Sequence, residues 1–312
     1  MCKIEMPIPP IKTQITILKK KNNIQHEIDV LNSEITHQQT LLKKLRQAIL
    51  QEAIEGKLTA EWRKQHPTVE HARDLLARIQ AEKAELVKAK KIRKQKLLPP
   101  ITAEEIPFPL PEGWVWCRLG DSANTIFDGP FGSNLKTKDY VDSGVRVIRL
   151  ENIGALEFNN NKLSFVTQEK YETIKRHTVN NGDIIFSSFI SKEIRVTVLP
   201  EYINKAINKA DCFCVRLDNN KVSSEYISYF LSTKSAYKLL SNKIHGDTRP
   251  RINTTQLKQC VIPLPPLVEQ KAIVAKVETL LGQCDALAEQ VNAAQGYSES
   301  LLQAVLREAF RG

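Results

Sequence analysis

The stretch LRQAILQEAIEG, residues 45–56, returns as LLQAVLREAFRG at residues 301–312, and this repetition decides the fold. Seven of the twelve positions are identical at an offset of 256 residues. The match continues backwards without a gap to the segments PIPPI and PLPPL, and sixteen of the fifty paired positions are identical. A chance match would not hold one register over that length, so residues 7–56 and 263–312 are treated as two copies of one element.

Each copy carries mainly apolar residues at alternating spacings of three and four, which is typical of a coiled-coil seam. The predicted seam comprises Ile17, Lys21, Ile24, Ile28, Leu31, Ile35, Gln38, Leu42, Leu45 and Ile49 in the first copy, and Ile273, Val277, Leu280, Cys284, Leu287, Val291, Ala294, Ser298, Leu301 and Val305 in the second. Proline before each seam and glycine after it are helix start and stop signals. We therefore predict two helices, each roughly 60 Å long, that pair antiparallel because one chain must leave and return. Two ordinary core helices are the alternative.

Between the two copies the sequence contains a Pro-rich segment and then a segment of short apolar runs. Residues 97–114 carry five prolines, too many for a helix or a central strand, and are predicted to form a linker. From Trp114 onwards the runs VWCRLGD, VRVIRLENI, DIIFSSFI, RVTVLP and DCFCVRL predict strands, and Ser223–Lys243 predicts a serine-capped helix. The expected fold class is α+β, a mixed α/β globule carried on two long antiparallel coiled-coil helices. The predicted divisions are a first helix (1–60), a helical extension with a Pro-rich linker (61–113), a globule (114–262) and a second helix (263–312).

Composition restricts the class of protein further. No apolar run reaches the length of about 18 residues that a membrane span requires, and the start lacks the apolar region of a signal peptide, so a cytoplasmic protein is expected. The six cysteines form no C-x-x-C pair, and Cys212 and Cys214 are predicted to be buried and reduced in one strand. Most of the net charge of +10 lies in the first 99 residues, with its densest run at residues 83–96. That run fits a solvated helix face and a phosphate contact equally well.

Three stretches of the globule carry side chains suited to binding nucleic acid. They are DGPFGSNLKTKDY (128–140), FSSFISKEIRVTV (186–198) and HGDTRPRINTTQLKQ (245–259). Arginine and asparagine read the edges of guanine and adenine, whereas lysine suits phosphates. Base contacts are predicted for Arg249, Arg251 and Asn253, and DNA contacts of either kind for Lys136, Lys138, Arg149, Asn152, Lys192 and Arg195. Each of these side chains, taken singly, also fits a solvated surface group.

The sequence contains no recognisable catalytic constellation. The three Pro-Pro pairs lack the preceding polar residue of an amino-methyltransferase motif, and the phosphate-binding motif G-x-x-x-x-G-K-[ST] does not occur. His245 beside Asp247 suggests a general base, but no nucleophile accompanies it, and a structural loop explains the pair as well. We therefore expect no enzymatic activity and no cofactor.

The order of motifs resembles the DNA specificity subunit of Type I restriction-modification systems. The residues that carry the resemblance are LRQAILQEAIEGKL, LLARIQAEKAELVKAKKIRKQK, IPFPLPEGWVWCRLGD, DGPFGSNLK, DYVDSGVRVIRLENIG and HGDTRPRINTTQLKQCVIPLPPLVEQKAIVAKVETLL. In that family a target-recognition domain reads one half of a split site in double-stranded DNA. Its repeated helices pair as an antiparallel coiled coil and dock the methyltransferase subunits, through which the restriction and translocation subunit joins.

One departure from the family pattern affects the expected assembly. A complete specificity subunit resembles domain, helix, domain, helix, whereas this chain reads helix, domain, helix. The resemblance therefore implies the C-terminal half of such a subunit, which would associate with a second copy of itself or with a separate N-terminal fragment. A coiled-coil interaction scaffold without DNA recognition remains the alternative function, and it would show no salt-dependent binding to duplex DNA.

Overall fold

The computed structural model describes residues 10–90, 97–190, 193–242 and 250–311. Its helices are α1 (Ile11–Ile54), α2 (Ala60–Gln65), α3 (Ala72–Lys88), α4 (Leu119–Ser122), α5 (Gln168–Ile174), α6 (Ser224–Leu231), α7 (Lys234–Ser241), α8 (Thr254–Lys258) and α9 (Leu267–Arg311). Its strands are β1 (Val115–Arg118), β2 (Thr125–Phe127), β3 (Tyr140–Val141), β4 (Val145–Ile148), β5 (Phe165–Val166), β6 (Thr178–Val179), β7 (Ile184–Ser187), β8 (Val196–Val198), β9 (Ala206–Asn208), β10 (Cys212–Arg216) and β11 (Val261–Leu264). Within the described ranges, no helix combines the length and apolar character needed to cross a membrane.

The chain divides into two compact units, and the first consists of the long-helix segments 1–48 and 279–312. Within it the helices run antiparallel. Gln39 contacts Gln295, and Arg46, two turns later in α1, forms an ion pair with Asp285, which is earlier in α9. The Gln39 Nε2 atom donates to Gln295 Oε1 over 3.3 Å. Gln39 and Gln295 are equivalent positions of the repeat, so the two copies meet about a local pseudo-two-fold axis at this pair. The predicted antiparallel coiled coil is confirmed.

Six of the ten predicted seam positions of α1 are buried or partly buried, and the other four are exposed. Ile28 and Ile35 are buried as expected, and Cys284 is buried in α9. At two of the exposed positions the next residue is partly buried instead, Gln39 after Gln38 and Arg46 after Leu45. Four predicted seam leucines are substantially exposed: Leu31 (39%), Leu45 (44%), Leu287 (46%) and Leu301 (53%).

The second unit, residues 49–278, holds the globule. β1 and β11 form a two-stranded sheet, a four-stranded sheet has the order β2-β10-β7-β8, and a five-stranded sheet has the order β3-β5-β4-β9-β6. The five runs predicted as strands coincide with β1, β4, β7, β8 and β10. Cys212 and Cys214 are buried free cysteines, and burial raises the pKa of both thiols, as expected for inert core residues.

The single helix predicted over Ser223–Lys243 is wrong in one respect. Ser223 caps α6 as expected, since its hydroxyl accepts from the Tyr226 amide. The helix ends at Leu231, however, and Thr233 caps a second helix by accepting from the Ala236 amide over 3.2 Å. The Ser-Thr pair between the two periodic runs therefore interrupts the helix, because such side chains compete for backbone groups.

A buried carboxylate joins the start of α9 to three side chains elsewhere in the second unit. Glu269 is 1% exposed. Its oxygens accept from Thr59 Oγ1 (2.7 Å), Arg63 Nη1 (2.5 Å) and Trp114 Nε1 (2.8 Å). The carboxylate thus satisfies a buried hydroxyl, a buried indole and a largely buried guanidinium.

Glu269→Ala is expected to lower the free energy of unfolding by roughly 2–4 kcal/mol, because it leaves a largely buried cation and two donors without an acceptor. Denaturant unfolding monitored by Trp fluorescence measures this loss. Glu278→Ala removes an exposed carboxylate from the same helix and should leave the midpoint nearly unchanged. Equal midpoints for the two variants would contradict the role assigned to Glu269.

Candidate nucleic-acid interface

The two parallel strands of the five-stranded sheet end side by side. β4 and β9 pair in register, with Ile148 beside Asn208. The residues that leave these strands, Arg149 and Lys209, therefore emerge at the same edge, and the Lys209 amide donates to the Ile148 carbonyl over 2.8 Å. Two cations are placed together by topology although 60 residues separate them in the sequence.

The four-stranded sheet brings two further strand ends to the turn that follows β9. β10 begins directly after that turn and runs antiparallel to β2 and β7. Its first residue, Cys212, pairs with Ser187 at the end of β7, and Cys214 pairs with Phe127 at the end of β2. The segments after β2, β4, β7 and β9 thus leave the globule at one end, which we call the Asp211 end after the residue at its centre.

Asp211 contacts one residue from each of the three stretches that the sequence singled out. Its Oδ1 atom accepts from Ser188 Oγ over 2.9 Å and lies 3.8 Å from the Arg251 guanidinium. Its backbone amide donates to the Asp128 carboxylate. Asp211 itself adopts a left-handed conformation with φ of 68°, which aspartate tolerates better than most residues. The stretches 128–140, 186–198 and 245–259 therefore meet here.

The first stretch is fixed tightly against the β9–β10 turn. A Cβ atom on Gly129 would lie 2.2–2.4 Å from backbone atoms of Lys209 and Asn208, so only glycine fits this position. The Gly129 amide donates to Asp128 Oδ1 over 2.6 Å, and His177 Nδ1 lies 2.7 Å from the Asp128 carbonyl. Burial raises the pKa of Asp128 to about 6. Burial also lowers the pKa of His177.

The Tyr140 ring lies close to both cations at the ends of β4 and β9. The Arg149 guanidinium carbon lies 5.5 Å from the centre of the Tyr140 ring, and Lys209 Nζ lies 5.4 Å from it. Both distances are within the range of cation–π attraction. Arg149 Nε also lies 3.0 Å from Glu151, so this cation is partly neutralised. Tyr140 follows the exposed turn of Lys136 and Lys138, so four basic residues lie near this edge.

Three of the predicted DNA-contact residues have their charged groups in solvent. Lys136 and Lys138 are exposed on the turn before β3. Arg251 has 58% of its side chain exposed, and its backbone bridges to Phe189 beside the second stretch. These three residues keep the predicted capacity to contact DNA.

Asn152 does not have the exposure that the sequence prediction requires. It is 1% exposed, and its Nδ2 atom donates to the carbonyls of Asn159 and Lys162 over 2.9 Å each. Its Oδ1 atom accepts from the Arg149 amide over 2.9 Å. All of its hydrogen-bonding capacity holds the loop after β4, and the predicted contact with DNA is not supported by this placement.

Two other predicted residues are also engaged within the protein. Arg195 is half-buried and donates to the Leu150 carbonyl over 3.0 Å, with Ser187 Oγ at 3.4 Å. Asn253 caps α8, since its side chain accepts from the Gln256 amide over 2.9 Å. Both side chains position the Asp211 end. Lys192 and Arg249 lie outside the described residues.

The basic run at residues 83–96 is only partly described, and its first lysine is internal. Lys83 Nζ donates to the carbonyls of Gly120 and Asp121 over 2.8 Å each. Burial lowers the pKa of Lys83 to about 8. Lys83 therefore joins α3 to the globule and is neither a solvated face residue nor a phosphate contact, while residues 91–96 lie outside the described part.

Sequence reasoning missed Lys209, Tyr140 and Asp211. No local pattern marks them, because their roles come from strand pairing between distant segments. Asp211 could have been suspected, since an aspartate between two β runs is a common turn signal. In the part of the chain that the structure describes, no three His, Cys, Asp or Glu side chains form a group able to hold a metal ion.

Several known proteins are similar to this chain in sequence. The model of the Type I restriction modification DNA specificity domain matches residues 111–294. The EcoAI specificity subunit of Escherichia coli is 35% identical over 253 residues, which cover 78% of this chain and 40% of that protein. The E. coli EcoEI specificity subunit is 30% identical over 256 residues, covering 80% and 42%. The chain thus spans about two fifths of the length of these relatives.

Solved structures support the fold. A chain from the structure on complex assembly and conformational transition of the type I R-M system superposes with a TM-score of 0.55 at 19% identity, covering 98% of this chain and 61% of that one. The crystal structure of the HsdS subunit from Thermoanaerobacter tengcongensis gives a TM-score of 0.51 at 20% identity, covering 98% and 60%. Since the matched domain model covers more than half of its residues, this chain belongs to the family of Type I restriction-modification DNA specificity subunits.

Proposed function

We propose that the chain is a non-catalytic recognition subunit that reads one half of a split site in double-stranded DNA. The observation that carries the proposal is the convergence of three loop stretches on Asp211, with Lys136, Lys138 and Arg251 exposed around them. Sequence readout requires several side chains held in fixed relative positions, and cations near them supply phosphate contacts. The protein would act in the cytoplasm, where its DNA partner lies, and would need no cofactor of its own.

The residues at the Asp211 end divide into two proposed roles. Arg251 is assigned to base readout, because its guanidinium is exposed and its backbone is tied to Phe189. Lys136 and Lys138 are assigned to phosphates, since both lysines are exposed on the turn before β3. Lys209, half-buried on Tyr140, adds positive charge between these positions.

The paired helices are proposed to dock methyltransferase subunits, and the restriction and translocation subunit would join through them. The exposed leucines Leu31 and Leu45 are the repeat equivalents of Leu287 and Leu301, so the pseudo-two-fold axis generates two like apolar surfaces. Large exposed apolar groups at repeated positions suit a protein interface. Two equal surfaces suit two copies of one partner.

A second recognition domain would read the other half-site. We propose that it comes from another copy of this chain or from a separate chain. Association of two copies would impose two-fold symmetry and therefore a palindromic split site.

Lys136→Ala is expected to weaken binding to cognate and scrambled duplexes equally and to reduce the slope of log K against log salt by about 0.9, the value for one released counterion. Fluorescence anisotropy at several salt concentrations measures both quantities. Lys205→Ala is the matched control, since Lys205 is an exposed lysine at the opposite end of β9. An unchanged slope in Lys136→Ala would contradict the phosphate assignment.

Arg251→Ala is expected to lower discrimination by about 1–3 kcal/mol at one base pair, because an arginine that bonds to a base edge is lost. The preferred site is first selected from a randomised duplex pool by the full chain together with its methyltransferase subunit. Competition between the cognate duplex and single-base variants then measures the change. Loss of affinity by the same factor on every duplex would remove the base-readout assignment.

Leu31→Ser and Leu287→Ser are each expected to weaken binding of the methyltransferase subunit, and the double variant should weaken it further. Both leucines are already exposed, so thermal stability should change little. Leu163→Ser, which replaces an exposed leucine of the globule, is the control. Size-exclusion chromatography with light scattering gives the stoichiometry. Full binding by the double variant would show that docking takes place elsewhere.

A further inference from the structure

Phe131 is an exposed aromatic side chain between two anchored neighbours. Its relative exposure is 54%, whereas Pro130 before it is buried and Leu135 beyond it is 5% exposed. Among the described residues, no aromatic or cationic side chain stacks on its ring. A solvent-facing phenylalanine forgoes the gain that burial would bring, and a contact with a partner would recover it.

The loop that carries Phe131 is rigid before any partner binds. Gly129 is locked against the backbone of Asn208 and Lys209. The Asn134 amide donates to the Phe131 carbonyl over 3.1 Å and closes a short 3-10 turn over Gly132–Asn134. Because its position is fixed in advance, little conformational entropy would be lost when Phe131 makes a contact.

The surroundings of Phe131 indicate a polyanionic partner. The loop follows β2 at the Asp211 end, and Lys136 and Lys138 are exposed just after it. Lys209 and Arg251 are the nearby cations of the adjoining segments. An apolar protein partner would suit the exposed leucines of the paired helices better, since these recur in both copies of the repeat, whereas Phe131 is followed by two exposed lysines. Nucleic acid therefore fits this aromatic residue best.

An exposed aromatic side chain can contact DNA in two ways. A wedge between base pairs acts from the minor groove and must unstack the bases. Apolar contact with the thymine 5-methyl group takes place in the major groove and needs no unstacking. Phe131, which is 54% exposed as a residue, suits the second mode because it requires less deformation of the DNA.

We propose that Phe131 reads a thymine in the recognised half-site through that 5-methyl group. This inference rests on the proposed function and adds an apolar, specificity-determining contact to the charged ones. The predicted base-contact residues are all polar, so none of them would distinguish thymine from uracil.

The test is a double-mutant cycle. One change removes the Phe131 ring from the protein, and the other removes the 5-methyl group from the DNA. The full chain with its methyltransferase subunit selects its site from a randomised duplex pool, and each thymine of that site is then replaced in turn by deoxyuridine. For the wild-type chain one replacement should weaken binding about fourfold, the value of one buried methyl group. Phe131→Ala should lose at least as much on thymine DNA, and the same replacement should then have no further effect.

The controls separate failure of this inference from failure of the proposed function. Tyr202→Ala removes an aromatic residue of 62% exposure that lies beyond the other end of β8, and it should keep the wild-type response to deoxyuridine. If the wild-type chain selects no site at all, the proposed function itself fails. If it selects a site but no deoxyuridine replacement weakens binding, or if Phe131→Ala responds as strongly as the wild type, the thymine contact is overturned while sequence recognition stands.

Discussion

The hydrogen bonds and ion pair of Asp211 are the interactions on which the Asp211 end depends. This residue lies in the turn between β9 and β10, and its left-handed backbone turns its carboxylate towards Ser188 and Arg251 while its amide meets Asp128. Two of the loops meet the carboxylate with a donor, the Ser188 hydroxyl and the Arg251 guanidinium, whereas the third supplies the Asp128 carboxylate as an acceptor for the Asp211 amide. The partly buried charge is therefore compensated, and the arrangement is fixed without bound DNA.

The long helices use one sequence element twice. Equivalent glutamines meet at Gln39 and Gln295, so the two copies contribute equivalent surfaces on either side of that contact. Predicted seam leucines are exposed in both copies. An apolar face that pairing leaves uncovered suits a partner protein, whereas the charged loops of the globule suit DNA.

The sequence allowed prediction of the long helices, the main strands and the class of protein. Helix ends could be predicted because proline and glycine signals are local, and strands could be predicted because β-branched runs are local too. The exact seam could not be predicted, since the choice between Gln38 and Gln39 depends on the side chains of the partner helix. The prediction for Asn152 failed for a related reason. Its residue type suits a base edge, but its side-chain amide already donates to the carbonyls of Asn159 and Lys162. Lys209 and Tyr140 could not be found, because only the order of the five-stranded sheet, in which β5 and β4 connect β3 to β9, brings them together.

Hydrogen–deuterium exchange of the full chain with and without its selected duplex tests the central claim most directly. The account predicts slower amide exchange on DNA binding in residues 128–140, 187–190, 209–211 and 250–253. Residues 200–205, at the opposite end of the same strands, should exchange at an unchanged rate. Protection of residues 200–205 without protection of the loops around Asp211 would contradict the account.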